Sequence, residues 1–126
     1  GAIYGMPSHA KHVLKIRPDV GEVTTVGGPF HGRYKWLRGI TGRDGKVYGI
    51  PACAGAVLRI DPSSDEVTTF GEVPEGDWKW HGGVLASDGA IYAIPAHADR
   101  VLRIEPESGK VELIGDVLEG QCKWYG

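Results

Sequence analysis

Asparagine is missing from all 126 residues, and cysteine, methionine and phenylalanine number only two, one and two. No apolar run approaches the roughly 20 residues of a membrane-spanning helix, so no membrane partner is expected. Charge of one sign never accumulates: 14 basic and 16 acidic residues leave a net charge of −2. Without a basic or acidic block, nothing points to nucleic acid or an anionic surface. The two cysteines, Cys53 and Cys122, are too few for a disulfide framework and leave the redox compartment open. No phosphate-binding or dinucleotide glycine pattern is present, and Gly27-Gly28 reads as an end-of-strand turn. No Ser/His/Asp arrangement can be assembled, and no cofactor or metal is expected. Helical periodicity is not sustained over three turns anywhere. Glycine is the abundant residue, at 20, with eight prolines. That composition suits short strands joined by tight turns.

The strongest signal is a repeat of 44 residues without gaps. Tyr4, Tyr48 and Tyr92 fall in register, as do Pro7, Pro51 and Pro95. So do Val13-Leu14, Val57-Leu58 and Val101-Leu102, and the pairs Lys35-Trp36, Lys79-Trp80 and Lys123-Trp124. The units are residues 1–44, 45–88 and 89–126, the last truncated, within one domain of residues 1–126. A fixed period of this size means one supersecondary unit copied along the chain.

Each unit reads as four short antiparallel strands, A to D. In the clearest copy, Trp80–Ala86 leads to Asp88-Gly89, which predicts a type I′ hairpin turn. Ala90–Ile94 fits a pleated surface and stops at Pro95, which has no N–H for a ladder. Arg100–Ile104 and Lys110–Ile114 alternate apolar and charged residues around a turn at Glu107-Ser108-Gly109. Four antiparallel strands repeated at this interval predict an all-β fold, a β-propeller of four-stranded blades. The pattern Asp-Gly-x-Val/Ile-Tyr, followed by Val-Leu-Arg-Ile-Asp/Glu-Pro, resembles blades of NHL-type and virginiamycin B lyase-like propellers. That resemblance implies blade architecture. The families include lyases, lactone hydrolases and binding scaffolds, and none of their catalytic motifs matches here.

Counted as strands, the chain runs B-C-D, A-B-C-D, A-B-C-D, then the start of A. Three blades per chain fall short of the roughly 4–8 that close a propeller. The expectation is closure by oligomerisation, with two copies giving a six-bladed homodimer. Gly1, Ile3, Tyr4, Lys123, Trp124 and Tyr125 are the expected assembly interface.

B–C loops and D–A connections share one face of a propeller. That gathers the Lys-Trp pairs, Tyr34, Trp78 and His81 at one end of the ring. Trp36, Trp80 and Trp124 recur in every unit, which suits packing between blades better than ligand contact. Tyr34 and Trp78 suit surface or ligand roles. Lys35, Lys79 and Lys123 are expected to line the channel mouth as a positive ring that attracts an anion. His9, Cys53 and His97 share one repeat position and are zinc-ligand types. They lie on different blades, however, and zinc needs its ligands at about 2.0–2.3 Å, so a tolerant loop position is the better reading. Asp61 and Glu105 are replaced by Arg17 in the first unit, which argues against a shared catalytic duty. The expected function is a non-catalytic, self-assembling scaffold with repeated sites on one face, taking a small carbohydrate or peptide. The alternatives are an engineered or excised fragment that only self-assembles, a lectin-like carbohydrate binder, and a lyase or lactonase in the central channel.

Overall fold

The computed structural model describes residues 1–126 and holds eleven strands and no helix. They form three antiparallel sheets. The first has three strands: β1 (Ile3–Gly5), β2 (Val13–Arg17) and β3 (Glu22–Val26). The second has four: β4 (Trp36–Thr41), β5 (Val47–Pro51), β6 (Ala56–Asp61) and β7 (Glu66–Glu72). The third repeats it with β8 (Trp80–Leu85), β9 (Ile91–Pro95), β10 (Val101–Glu105) and β11 (Lys110–Ile114). Strands follow one another in sequence order across each sheet, as a blade requires. Pro51 and Pro95 end their strands from inside rather than just beyond them. Register shifts at Trp36/Arg38 and Trp80/Gly83 bulge the start of both A strands, where the loops of the candidate face begin.

The Asp-Gly turns depart from the expected type. A type I′ turn needs positive φ at both central residues. Here Gly45 and Gly89 have φ of 82° and 86°, while Asp44 and Asp88 are not left-handed. Gly45 N–H donates to the Gly42 carbonyl and Gly42 N–H to the Lys46 carbonyl. This is a three-residue loop, a type I turn closed by a left-handed glycine. The aspartate explains the choice. Its Oδ1 accepts the N–H two residues on, from Lys46 or Ala90, and its Oδ2 accepts the hydroxyl of Tyr48 or Tyr92. Tyr4, in register with Tyr48 and Tyr92, donates to Asp65 across to the second sheet, beside the Lys15–Asp65 ion pair. Burial and the Asp65 contact push the Tyr4 phenol up to about 12, while Lys15 and Tyr4 hold the Asp65 carboxyl below its ordinary range.

Alternation along each strand sends one set of side chains to each neighbouring blade. Tyr48, Ile50 and Val57 of the second sheet face Ile91, Ala93, Leu102 and Ile104 of the third in one closed cluster. The opposite face of the second sheet, with Leu58 and Ile60, packs on Val13, Tyr4 and Met6 of the first. At the outer edge each junction has a glycine against a valine. A Cβ on Gly27 would lie 2.5 Å from the Val67 Cβ, and one on Gly71 2.8 Å from the Val111 Cβ. Both glycines are left-handed, at φ 67° and 68°.

Two glycines separate backbone strain from packing. Gly21 has φ 67° like Gly71, but nothing lies within 4 Å of its absent Cβ. Gly21→Ala is expected to cost about 1–2 kcal/mol, the left-handed penalty alone. Gly71→Ala adds overpacking of about 1–3 kcal/mol. Denaturant titration of both variants measures the difference, and equal losses would show that Val111 does not press on Gly71.

Candidate functional site

The loops before each A strand are organised by a lysine. Lys35 Nζ donates to the carbonyls of Ser8, Ala10 and Gly32 at 2.8, 2.9 and 3.0 Å. Lys79 Nζ donates to Ala54 and Gly76 at 2.8 and 3.0 Å. Lys123 Nζ donates to Ala96, Ala98 and Gly120. Each ammonium therefore ties the B–C loop of one blade to the D–A connection leading to the next. The lysine backbones work both ways. Lys79 N–H donates to Ala52 of the second blade, and its carbonyl accepts from Ala96 and Ala98 of the third. Lys35 and Lys79 are each 4% exposed, and desolvation lowers both ammonium pKa values from their ordinary range. Their ammonium groups are thus turned into the blade junctions. The positive ring expected at the channel mouth does not form from these two, because their donors are spent on carbonyls.

Trp36 and Trp80 are buried, and their indole N–H groups donate to Ala56 and Arg100 carbonyls at 2.9 and 2.8 Å. Trp124 is 49% exposed. Each buried indole floors a cleft between a D–A connection and a B–C loop. The cleft on the third blade, about 410 Å³, is lined by Glu75, Asp77, His97 and Asp99 with Trp80 beneath. The cleft on the second blade, about 650 Å³, has His31, Arg33, Cys53 and Asp77 over Trp36. Shifted by 44 residues, every lining residue of the first falls on one of the second. The frames coincide and the walls differ, one mainly acidic and one mainly basic.

Beside these clefts the structure brings Tyr34 and Trp78 together at 4.5 Å between ring centroids, with His9 edge-on to Tyr34 at 4.3 Å. The two aromatics are 40% and 36% exposed. Both have φ of 51°, as does Cys122 nearly, at 48° in the same repeat position. A bulky residue with left-handed backbone is a genuine outlier and must be held by its surroundings. Here the carbonyls of Tyr34 and Trp78 are fixed by the N–H groups of Cys53 and His97. The sequence displays these residues but not their conformation, since non-glycine left-handed positions carry no compositional mark.

His81 packs on Tyr125, with ring centroids 4.4 Å apart and its Nδ1 enclosed and unpaired. His97 accepts the Cys122 N–H at Nδ1, with the thiol 3.8 Å away. His12 is exposed but bonds the Gly27 carbonyl, and His31 lines the second-blade cleft. Of the expected assembly residues, Gly1, Ile3, Trp124 and Tyr125 are exposed, whereas Tyr4 and Lys123 are engaged within the chain.

No protein-family model matches the sequence, and no curated protein does. Solved structures do. Virginiamycin B lyase from Staphylococcus aureus superposes with a TM-score of 0.74 at 21% identity over 90% of this chain. A streptogramin B lyase gives 0.74 at 15% over 95%, and an auxiliary nutrient binding protein from Bacteroides thetaiotaomicron gives 0.60 at 16% over 97%. The chain spans 37, 39 and 38% of those three chains. At such identities the likeness shows the fold: the three sheets are β-propeller blades similar to those of virginiamycin B lyase.

The lysine ties are testable by removing charge while keeping length. Lys79→Met leaves the Ala54 and Gly76 carbonyls without their donor and is expected to cost about 2–4 kcal/mol. Lys123→Met, in a more exposed setting, is expected to cost about 1 kcal/mol or less. Thermal melts of both variants check the order, and an equal or reversed ranking would refute the buried-tie account.

Proposed function

We propose that this chain is a non-catalytic propeller module that binds ligand on its B–C/D–A loop face, with two copies completing a six-bladed ring. The observation that carries the binding reading is the Tyr34–Trp78 pair with His9 against it. Two flat aromatic faces, partly exposed and locked by strained backbone, give rigid contact area at low entropic cost. Such faces suit the apolar side of a sugar ring, so carbohydrate is the ligand class, with a short peptide as the other outcome of the test.

The flanking clefts add polar groups of opposite character, which makes the face directional rather than a ring of identical sites. A structural neighbour that binds nutrients supports this reading, while the lyase neighbours support channel catalysis to the same degree at the level of fold. The aromatic pair favours binding, because it offers contact area rather than proton transfer.

Screening on a glycan array, followed by tryptophan-fluorescence titration, tests the ligand class. Tyr34→Ala and Trp78→Ala are each expected to weaken sugar binding at least tenfold, as loss of an aromatic contact does. Absence of any sugar binding at millimolar concentration, with a peptide bound instead, would replace carbohydrate by peptide; binding unchanged by both variants would remove this face. Closure is tested by mass in solution at low concentration. Two chains are expected, three would mean nine blades, and one chain would refute assembly.

A further inference from the structure

The two homologous clefts carry opposite charge on one frame, and a few positions make the difference. Shifted by 44 residues, His31 and Arg33 become Glu75 and Asp77, and Gly55 becomes Asp99. The lysine ties, the buried indoles and the left-handed aromatics stay in place, so these positions change the wall and not the frame. The second-blade cleft, about 650 Å³, lies wholly within residues 29–77. Its basic wall is uncommitted. His31 and Arg33 are exposed, and neither enters an ion pair of the chain, although Asp77 lines the same cleft.

Beneath that wall lies a buried charge without a counter-ion. Lys35, 4% exposed, lines the cleft and donates to carbonyls alone. Carbonyls meet the hydrogen bonds of an ammonium but do not neutralise it. Its counterpart Lys79 differs: burial lowers its pKa, and Cys53, Asp77 and Glu75 oppose that shift. Burial alone lowers the pKa of Lys35. The charge of Asp77 thus acts on Lys79, and the second-blade cleft retains the fields of Lys35 and Arg33. A cleft lined by one sign of charge, with low-dielectric walls, concentrates the opposite charge within it. The aromatic pair is tied to this cleft. Tyr34 stands between Arg33 and Lys35 in the chain, and its carbonyl is held by the N–H of Cys53, a residue of the cleft wall.

We infer that the second-blade cleft is the anion subsite of the sugar face, and that the ligand is an acidic sugar. Its ring lies on Tyr34 and Trp78, and its carboxylate or sulfate meets Arg33. This inference rests on the carbohydrate reading above and narrows it. A guanidinium offers a planar fork of donors suited to an oxyanion, while Lys35 adds field rather than contact because its donors are already engaged. The acidic wall of the third-blade cleft repels the same group, so the pair of clefts fixes the direction in which such a sugar lies.

The test titrates tryptophan fluorescence with matched methyl glycosides: glucose, glucuronic acid, glucose 6-sulfate and glucosamine, and the corresponding galactose series. In at least one series the acid or the sulfate is expected to bind about fivefold tighter than the neutral parent, the effect of one partly exposed ion pair. The two arms tell carboxylate from sulfate. Arg33→Gln is expected to bring acidic and neutral sugars to equal affinity, and Asp77→Asn to widen the gap. Arg17→Gln, which removes the same charge at the far end of β2, is expected to leave the gap as it is. Equal affinities in the unaltered chain would overturn the inference and leave the carbohydrate reading standing. So would tightest binding of the amino sugar, which would give the ligand's charge to the third-blade cleft. A gap that survives Arg33→Gln, or closes equally in Arg17→Gln, would also overturn it. No binding of any of these sugars at millimolar concentration would overturn both readings.

Discussion

Each blade junction depends on an ammonium group that has exchanged its water for backbone carbonyls. Burying a lysine is unfavourable unless its donors are met, and here they are met by loops of two different blades at once. The loops that form the candidate face cannot shift independently, because moving either one strands a charge. The left-handed aromatics, the indole floors and the clefts are all anchored within a residue or two of these lysines.

That arrangement separates frame from surface. The lysine, the tryptophan beneath it and the glycine–valine seat recur without change across the two complete junctions. The cleft walls do not recur: His31 and Arg33 stand where Glu75 and Asp77 stand one period later. Residues whose donors and volume are committed to the junction have little freedom to vary. Residues that rim a cleft are spared that duty, and there the copies have diverged in charge.

The blade architecture was legible in the sequence because it rests on period and alternation, which strands display openly. The D strand Lys110–Ile114 and the incomplete first sheet followed from counting alone. Asp-Gly alone does not settle the turn type, because it serves two hairpin geometries and the Tyr48 hydroxyl that engages Asp44 lies beyond the local pair. A charge repeated in every unit normally faces solvent. Only the surrounding carbonyls, contributed by residues some 25 positions away, show that Lys35 and Lys79 are buried. Tyr34 and Trp78 were legible as residues and not as a contacting pair, since 44 residues and a whole blade separate them.

The seat of valine on glycine has a consequence for how such rings are counted. It looks the same at every junction, so no single joint records how many have gone before. Adding or deleting a whole 44-residue unit would present the same two ends to the world. The circumference is therefore decided by the small wedge angle summed around the axis, a property of the collective that no local sequence signature spells out.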